Sequence, residues 1–583
     1  MFKLTRFLKP YWWQVGLLLV ATGGQVYATL QLPALMADII NNGIVPGDMG
    51  RIWQDGGWML LLVLVSAVAS FASSYLSARV GAYFSRDLRV AIFAKVLQFN
   101  MVDMKKYSTA SLITRTTNDV NQVQMIITLI LTMMLRAPLF CILGLVMAIQ
   151  TAPEMSWIIV VGITGVVVSS AVILSIVGPK FKIFQGLIDR VTLITRENLT
   201  GLRVIRAFNN DELERKKFGK TNEQLTKLLI FIDRILELQN PLINIIFNGT
   251  SLLCSWVGLS LLKQDFAYLG NMTAFSEYVT FVMMSFLMLS MLFVMLPRAN
   301  VSAGRINELL KTKESVKWRS ETKGVPEKRP SVEFKKVDFS YPDASEKVLD
   351  DISFRAEAGQ TTAFIGSTGS GKSTLINLVP RFYEATSGEV LVDGINVKDF
   401  SKDDLMQKIG LVPQHGVLFA GTVRSNIAFG APNASDEDVK HAAEIAQATN
   451  FIGKMQGGYN AHISQGGTNV SGGQKQRLSI ARAICKKPDI FIFDDSFSAL
   501  DMKTDRKLRE ALKPVTADAV VLIVAQRVNT IRDADQIVVL DKGKMVGCGT
   551  HRELLRDSEV YRSIVQSQLS DAEYRKELHG ATK

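Results

Sequence analysis

Six apolar stretches, each about long enough to cross a bilayer, dominate the first half of the chain. An α-helix needs about 20 mostly apolar residues for this, and helices satisfy their backbone hydrogen bonds inside lipid. Charged residues make up only 21% of the sequence and mean hydropathy is +0.18, which fits a membrane half joined to a soluble half. The predicted spans are 12–36, 57–78, 126–150, 156–178, 241–262 and 279–297.

The orientation of the spans follows from their basic connections. The two long loops, 79–125 and 179–240, are rich in lysine and arginine, and so is the N-terminus. Cytoplasmic segments of membrane proteins carry this excess of positive charge, so both termini and both long loops are predicted to be cytoplasmic. The same clustering accounts for the net charge of +12 without a nucleic-acid partner. The first apolar run is too long for a cleaved signal peptide and is predicted to remain as a span.

The long loops are predicted to be helical. They contain good helix formers and i,i+4 charge pairs such as Glu212 with Lys216. We therefore expect the spans to continue as helices into the cytoplasm. They should turn over near Ser108–Thr114 in the first loop and near Gly201–Phe208 in the second.

Two features of the spans indicate a possible substrate cavity. Arg136 lies in mid-span, where a charge is costly and usually faces the interior of the bundle. This pattern favours a hydrogen bond to a neighbouring span over a substrate contact. Methionines on one face of the last span suit either an adaptable binding surface or ordinary packing: Met284, Met288, Met291 and Met295.

The second half of the chain has a different pattern. A charged, proline-containing linker at 308–330 separates a transmembrane domain, 1–307, from a domain at 331–583 in which strand-like and helix-like segments alternate. That alternation is typical of an α/β fold. Four scattered cysteines form neither a CxxC motif nor a metal-binding spacing, so reduced thiols are expected at Cys141, Cys254, Cys485 and Cys548.

A glycine-rich motif, GSTGSGKST, follows the strand-like segment TTAFI and opens a helix-like segment. It matches the P-loop pattern GxxxxGK[ST], whose glycines let backbone N–H groups surround phosphate. Lys372 can then reach the β- and γ-phosphates, and Ser373 can hold Mg²⁺. The residues predicted to bind ATP here are Gly366, Ser367, Thr368, Gly369, Ser370, Gly371, Lys372, Ser373 and Thr374.

The stretch IFIFDD is a predicted strand that ends in two carboxylates, Asp494 and Asp495. Asp494 is the expected partner of Ser373 on Mg²⁺, directly or through water. A Ser-Gly-Gly-Gln turn precedes it in the sequence and opens a helix, which taken alone is a general anion-binding arrangement.

These motifs, in this order and after six spans, resemble those of the ATP-binding cassette (ABC) transporters over essentially the whole chain. One membrane domain followed by one nucleotide domain is similar to an exporter-type half-transporter. The resemblance implies an all-α six-span bundle with long cytoplasmic extensions, then an α/β P-loop NTPase domain that uses ATP and Mg²⁺. It also implies that the turnover segments are coupling helices that press on the nucleotide domains.

The resemblance assigns roles to further residues. Tyr341 matches the aromatic residue that stacks on adenine, and Gln414 matches a glutamine that contacts Mg²⁺. Asp501 belongs to a loop expected to cross the dimer interface. The signature loop, which closes over ATP held by the other subunit, is matched by Ser471, Gly472, Gly473 and Gln474.

Two positions depart from the family's pattern. Asp495 stands where the family usually has a glutamate that orients the attacking water, and Gln526 replaces a histidine. Aspartate is one methylene shorter, and about an ångström of misplacement costs on the order of 10²-fold in rate. Glutamine can donate a hydrogen bond but cannot carry the charge of histidine. The chain is therefore predicted to bind ATP at a degenerate site and to hydrolyse it slowly.

Because the signature loop is intact while the catalytic positions are altered, a heterodimer is predicted. The partner, a second half-transporter subunit, should supply glutamate and histidine at the matching positions. This pattern is similar to that of bacterial heterodimeric multidrug exporters. The other expected partners are membrane lipid and a lipophilic small molecule, in a bacterial cell membrane.

The predicted function is ATP-driven export of small lipophilic compounds. Lipid flipping and peptide export are alternatives, as is a non-transporting membrane regulator gated by ATP. The long loops with their coupling segments favour transport because they supply a mechanical link. An importer is disfavoured because the spans and the nucleotide domain are fused.

Overall fold

A computed structural model describes residues 2–262, 268–342, 344 and 346–581 of the chain, which forms two compact units. Unit 1 comprises Met1–Leu97 and Thr109–Thr312, and unit 2 comprises Gln98–Ser108 and Lys313–Lys583. A short piece of the first long loop therefore groups with the C-terminal half of the chain.

The described part of unit 1 is helical, and its long helices carry the apolar stretches. One short helix, α3, belongs to unit 2. The α-helices of the N-terminal half are α1 Trp12–Asp38, α2 Met49–Gln98, α3 Met101–Lys106, α4 Thr109–Thr114, α5 Val120–Leu129, α6 Leu135–Thr151, α7 Trp157–Thr200, α8 Leu202–Ala207, α9 Asp211–Glu237, α10 Gln239–Leu262 and α11 Tyr268–Lys311.

Six helical stretches among the described residues are long and apolar enough to cross a membrane, and each overlaps one predicted span. Their bounds are Lys3–Ile44, Met49–Gln98, Thr109–Thr151, Pro153–Thr200, Asp211–Leu261 and Leu269–Leu289. The first long loop breaks between α2 and α4, in a stretch that includes Ser108, whereas the rest of the predicted Ser108–Thr114 is helical. The second breaks at α8, within the predicted Gly201–Phe208.

Helix α11 is the centre of packing in unit 1, where it lies against α1 and α6. Tyr278 on α11 is fully buried, and its hydroxyl donates to the Leu30 carbonyl of α1 at 3.1 Å. Nearer the end of α11, the Ser302 hydroxyl donates to the buried Asp119 carboxylate at 2.8 Å. Buried polar groups are costly unless they are paired, so these bonds fix how the helices align.

Unit 2 contains two main sheets. Their strands and a short hairpin are β1 Ser331–Phe339, β2 Leu349–Glu357, β3 Thr361–Gly366, β4 Ser387–Val392, β5 Ile395–Asn396, β6 Ile409–Val412, β7 Gly421–Thr422, β8 His462–Ile463, β9 Ile490–Asp494, β10 Val520–Val524, β11 Gln536–Asp541 and β12 Lys544–Gly549. An antiparallel sheet has the order β2-β1-β4-β5, and a six-stranded sheet has the order β12-β11-β3-β10-β9-β6.

Unit 2 contains eleven further α-helices in its C-terminal segment, among the residues that the structure describes. They are α12 Lys372–Ile376, α13 Lys402–Lys408, α14 Val423–Ile427, α15 Asp436–Ile445, α16 Thr449–Ile452, α17 Gly472–Cys485, α18 Met502–Leu512, α19 Val528–Ile531, α20 His551–Asp557, α21 Glu559–Gln568 and α22 Asp571–Ala581. The first four residues of β9 are apolar because Ile490 and Ile492 enter one core while Phe491 and Phe493 enter the other. An all-α membrane bundle followed by an α/β domain is the predicted fold class, which is confirmed.

Candidate functional site

Four parallel strands of unit 2 end at one edge of the sheet, and the predicted site residues follow them. Strands β3, β10, β9 and β6 are neighbours in that order, and Val524 at the end of β10 pairs with Phe364 of β3 and with Asp494 of β9. The carboxyl edge of a parallel sheet is the usual ligand site of α/β folds. The sheet therefore gathers segments that are far apart in the sequence.

The P-loop leaves β3 at Gly366 and reaches α12 at Lys372. Gly371 has φ +98°, and a Cβ atom there would lie 2.9 Å from the Val348 carbonyl oxygen, so glycine is required. The Lys372 ammonium donates to the carbonyls of Gly366 at 2.9 Å and Ser367 at 2.7 Å. The lysine thus lies inside the loop that is predicted to receive phosphate.

Lys372 is buried, with 8% of its surface exposed. Loss of solvation lowers the pKa of its ammonium, and the nearby carboxylates of Asp495 and Asp494 oppose that shift. A phosphate group would act in the same direction as the carboxylates, so the site favours an anionic ligand.

The Ser373 hydroxyl donates to the Asp494 carboxylate at 2.8 Å, which joins the P-loop to the end of β9. Hydroxyl and carboxylate oxygens are the ligands that Mg²⁺ prefers when phosphates complete its shell. Among the described residues no cluster of three acidic, histidine or cysteine side chains forms a self-sufficient metal site. The residues present therefore fit a Mg²⁺ ion that arrives with a nucleotide.

Asp495 adopts a left-handed backbone conformation with φ +46°, and its N–H donates to the Val524 carbonyl at 2.9 Å. Among residues other than glycine, asparagine and aspartate are enriched at such positions. The Gln414 amide donates to the Asp495 carboxylate at 3.4 Å, and burial raises the pKa of that carboxyl. Two predicted site residues, from β6 and β9, therefore meet here.

Gln526 follows β10 and is exposed. Its carbonyl accepts a hydrogen bond from the Gln568 amide at 2.7 Å, and the Val528 N–H donates to the Gln568 side-chain oxygen at 2.9 Å. Gln568 on α21 thus holds the loop that carries Gln526. Sequence reasoning missed this residue, because no local pattern marks a glutamine that reaches another segment.

Tyr341 lies after β1, where its hydroxyl shares a hydrogen bond with the Thr374 hydroxyl at 3.1 Å. Phe339 and Tyr383 make edge contacts with its ring, at centroid distances of 4.9 and 5.3 Å. The Lys105 ammonium of α3 lies 4.2 Å from the ring centroid. The predicted adenine platform is therefore anchored to the P-loop, and sequence reasoning missed Tyr383 and Lys105 beside it.

Two family profiles match the chain: the ABC transporter transmembrane region over residues 15–286, and the ABC transporter domain over residues 349–498. An uncharacterised ABC transporter ATP-binding protein of Mycobacterium tuberculosis is 37% identical over 97% of this chain and 97% of its own length. The chain belongs to the ABC transporters. Its fused membrane and ATPase domains make it a half-transporter of the exporter type, and the ATPase domain of this family binds ATP, normally with Mg²⁺.

Other relatives of this half-transporter also match it over nearly its whole length. An uncharacterised ABC transporter ATP-binding protein of Bacillus subtilis is 36% identical over 97% of this chain and 98% of its own length. An ATP-dependent lipid A-core flippase of Hahella chejuensis is 31% identical over 98% and 97%. A solved structure of a bacterial Atm1-family ABC exporter with ATP bound shares the fold, with a TM-score of 0.80 over 97% of this chain and 99% of that chain at 22% identity.

The signature loop of this half-transporter begins the 14-residue helix α17. Ser471 caps the helix: its N–H donates to the Gln474 side chain at 2.9 Å, and its hydroxyl accepts from the Gln474 N–H at 3.4 Å. A Cβ atom at Gly472 would meet no heavy atom within 4 Å, whereas one at Gly473 would lie 3.3 Å from the Ala499 carbonyl. No described contact joins this loop to the P-loop of the same chain, and its role toward a partner's ATP stays a prediction.

Asp501 caps α18, since its carboxylate accepts from the Thr504 N–H at 3.0 Å. This backbone hydrogen bond lowers the pKa of the Asp501 carboxyl. Its expected place at a dimer interface stays a prediction.

Arg136 of the half-transporter follows a π-helical turn, Ile130–Met134, and donates to the Gln25 side-chain oxygen of α1 at 2.7 Å. The hydrogen bond to a neighbouring span is therefore present. The Arg136 Nε is buried without a hydrogen-bond partner in the described part of the chain. Met284 is half exposed and Met288 and Met295 are partly buried, while the Met291 side chain lies outside the described residues.

The raised pKa of Asp495 predicts that its effect on the stability of the fold depends on pH. Since the folded chain binds this proton more tightly than the unfolded chain, ionised Asp495 destabilises the fold, and the penalty fades as pH falls toward its ordinary pKa of 3.8. We expect Asp495→Asn to raise the apparent unfolding temperature without nucleotide at neutral pH. The gain should shrink on acidification in a thermal-shift series.

Asp501→Asn is the control with the opposite sign. The lowered pKa of Asp501 means that its charge stabilises the fold at neutral pH and that this contribution disappears in acid. A change of the same sign in both variants would contradict the assignment.

Proposed function

We propose that this chain is one subunit of a heterodimeric ABC exporter that moves small lipophilic compounds out of a bacterial cell with energy from ATP. The observation that carries the proposal is the convergence of Lys372, Ser373, Asp494 and Asp495 at one sheet edge, in a chain whose described residues include six helices long enough to cross a membrane. Both termini and the nucleotide domain lie in the cytoplasm in this proposal, as the basic loops favour.

In the proposed ATP site, the P-loop N–H groups and Lys372 hold the phosphates, while Ser373, Asp494 and Gln414 hold Mg²⁺ directly or through water. Bound Mg²⁺ neutralises charge on the phosphates and fixes their geometry. Tyr341 carries the adenine. Closure of two nucleotide domains around ATP then drives the spans between inward-open and outward-open forms through the long loops.

Hydrolysis at this chain's own site is proposed to be slow. The Asp495 carboxylate is held by Gln414 at 3.4 Å and is one methylene shorter than the family's glutamate, so it cannot reach the same water. Gln526 lacks the charge of histidine. The capped signature loop is ready to serve the partner's ATP, and hydrolysis there resets the transporter.

The exposed turn of the second long loop also supports contact with a second subunit. Leu202, Val204 and Phe208 are 42%, 60% and 73% exposed on and beside α8. Apolar side chains clustered on a protein surface usually mark an interaction site. We assign this turn to a coupling contact in the assembled transporter.

The purified chain, reconstituted without a partner, tests the proposal. We expect Mg²⁺-dependent ATP hydrolysis about 10²-fold slower than that of the complex with a subunit that supplies glutamate and histidine. Phosphate release measures both rates, and Lys372→Ala is the control that should lose nucleotide binding. Equal rates for the lone chain and the complex would refute the degenerate site.

The double variant Asp495→Glu with Gln526→His should raise turnover at this site by at least about tenfold, because it restores a positioned base and a charged γ-phosphate contact. The matched control is Asp495→Asn with Gln526→His, which supplies the histidine without a carboxylate. Single-turnover hydrolysis by the lone chain measures the difference. Identical rates for the two double variants would contradict the role of Asp495.

Arg136 supports a substrate contact in the proposed cavity. Its only described hydrogen bond is to a neutral amide, and no described residue forms an ion pair with it, so its positive charge is uncompensated. A lipophilic compound with an anionic group would supply the missing partner.

An anionic lipophilic compound should stimulate the ATPase of the paired complex. For Arg136→Gln we expect the concentration that gives half of this stimulation to rise about tenfold. Arg136→Lys retains the charge and is the matched control. A neutral lipophilic compound should stimulate all three proteins alike. Equal losses in both variants would indicate a structural role only.

Lipid flipping is the second candidate. It is favoured by the relative named an ATP-dependent lipid A-core flippase, which is 31% identical over nearly the whole chain, and by the same uncompensated arginine. ATPase stimulation of the complex by an anionic lipid in nanodiscs, without stimulation by drug-like compounds, would favour flipping over multidrug export.

A further inference from the structure

A short helix from the first long loop packs beside the Tyr341 ring in unit 2. This helix, α3, begins after a cap at Asn100, and Val102 on it packs against the same core as Tyr341. Asp103 is fully buried, and its carboxylate accepts hydrogen bonds from the Ser315 hydroxyl at 2.5 Å and the Ser315 N–H at 3.1 Å. Helix α3 is therefore anchored at one side, independently of the ring.

Lys105 extends from α3 over that ring. Its ammonium lies 4.2 Å from the Tyr341 centroid and 5.7 Å from the Tyr383 centroid. Both distances fall within the range of about 6 Å over which a cation is attracted to an aromatic face. The next residue, Lys106, instead approaches Asp103 at 3.9 Å. Two adjacent lysines thus have different described partners.

The Tyr341 ring has little freedom to move away from Lys105. Its hydroxyl is bonded to Thr374 in the P-loop, and Phe339 and Tyr383 contact it nearly at right angles, at 82° and 90°. A cation and a planar base cannot occupy the same face of one fixed ring. A stacked base is held more firmly than an exposed ammonium, so a nucleotide would replace the lysine.

We infer that Lys105 is a further determinant of nucleotide binding, because its ammonium competes with adenine for the stacking face of Tyr341. Asp103 keeps α3 in place during this exchange, so the change at the ring is confined to the Lys105 side chain. The inference rests on the proposed ATP site and on Tyr341 as its adenine platform.

Binding of two probes to the full chain tests the inference. ADP carries the base, whereas inorganic tripolyphosphate carries phosphates alone, and both are titrated with Mg²⁺ by calorimetry. For Lys105→Ala we expect ADP to bind about two- to fivefold tighter, because the competing cation–π contact is gone. Tripolyphosphate should bind with an unchanged Kd, which also reports that the site is folded.

Two variants serve as matched controls. Lys106→Ala removes the same charge one residue away and should leave the Kd of ADP unchanged. Lys105→Arg keeps a cation over the ring and should bind ADP like the unmodified chain. Unchanged or weaker ADP binding by Lys105→Ala would overturn the inference, as would an equal change for both probes.

Tyr341→Ala separates this inference from the proposed function. It should weaken ADP binding and remove the effect of Lys105→Ala in the double variant. If Tyr341→Ala binds ADP normally, adenine does not stack on Tyr341. The inference about Lys105 is then wrong, whereas the proposed ATP site is not contradicted. If the unmodified chain binds neither probe, the ATP site and the inference both fall.

Discussion

The parallel ladder of β3, β10, β9 and β6 is the constraint on which the site depends. Its register sets Val524 beside Phe364 on one side and beside Asp494 on the other, so P-loop and carboxylates leave the sheet at one level. Both faces of the ladder are buried in separate cores, which hold the strand ends rigidly. Without that register, the Ser373 hydroxyl would not meet the Asp494 carboxylate.

Burial at this edge shifts the pKa values of the charged groups in the site. It lowers the pKa of Lys372 and raises those of Asp494 and Asp495, so each group is held in surroundings that disfavour its charge. The lysine compensates by binding carbonyls of its own loop. A ligand that brings both phosphate and a divalent cation would stabilise the lysine and the carboxylates together, which supports the proposed Mg²⁺–nucleotide complex as the ligand.

The sequence was most informative where a single local pattern determines the result. Apolar length predicted the spans, and the glycine spacing predicted the P-loop, whose Gly371 cannot carry a Cβ atom. The break in the first loop begins after Gln98, earlier than predicted, and extends to Ser108 of the predicted segment. Gln568 and Lys105 were missed because each contacts a segment that is distant in the sequence, and no local sequence motif marks either residue.

The backbone at Asp495 bears on how such a subunit evolves. With φ +46°, the position favours the short side chains that tolerate a left-handed turn, so aspartate suits the conformation as well as the chemistry. A mutation back to glutamate lengthens the side chain but leaves that turn in place. Glutamate there must accept a left-handed conformation in which aspartate and asparagine are the enriched residues. In the proposed heterodimer, this backbone preference would favour keeping aspartate here and leaving hydrolysis to the other subunit.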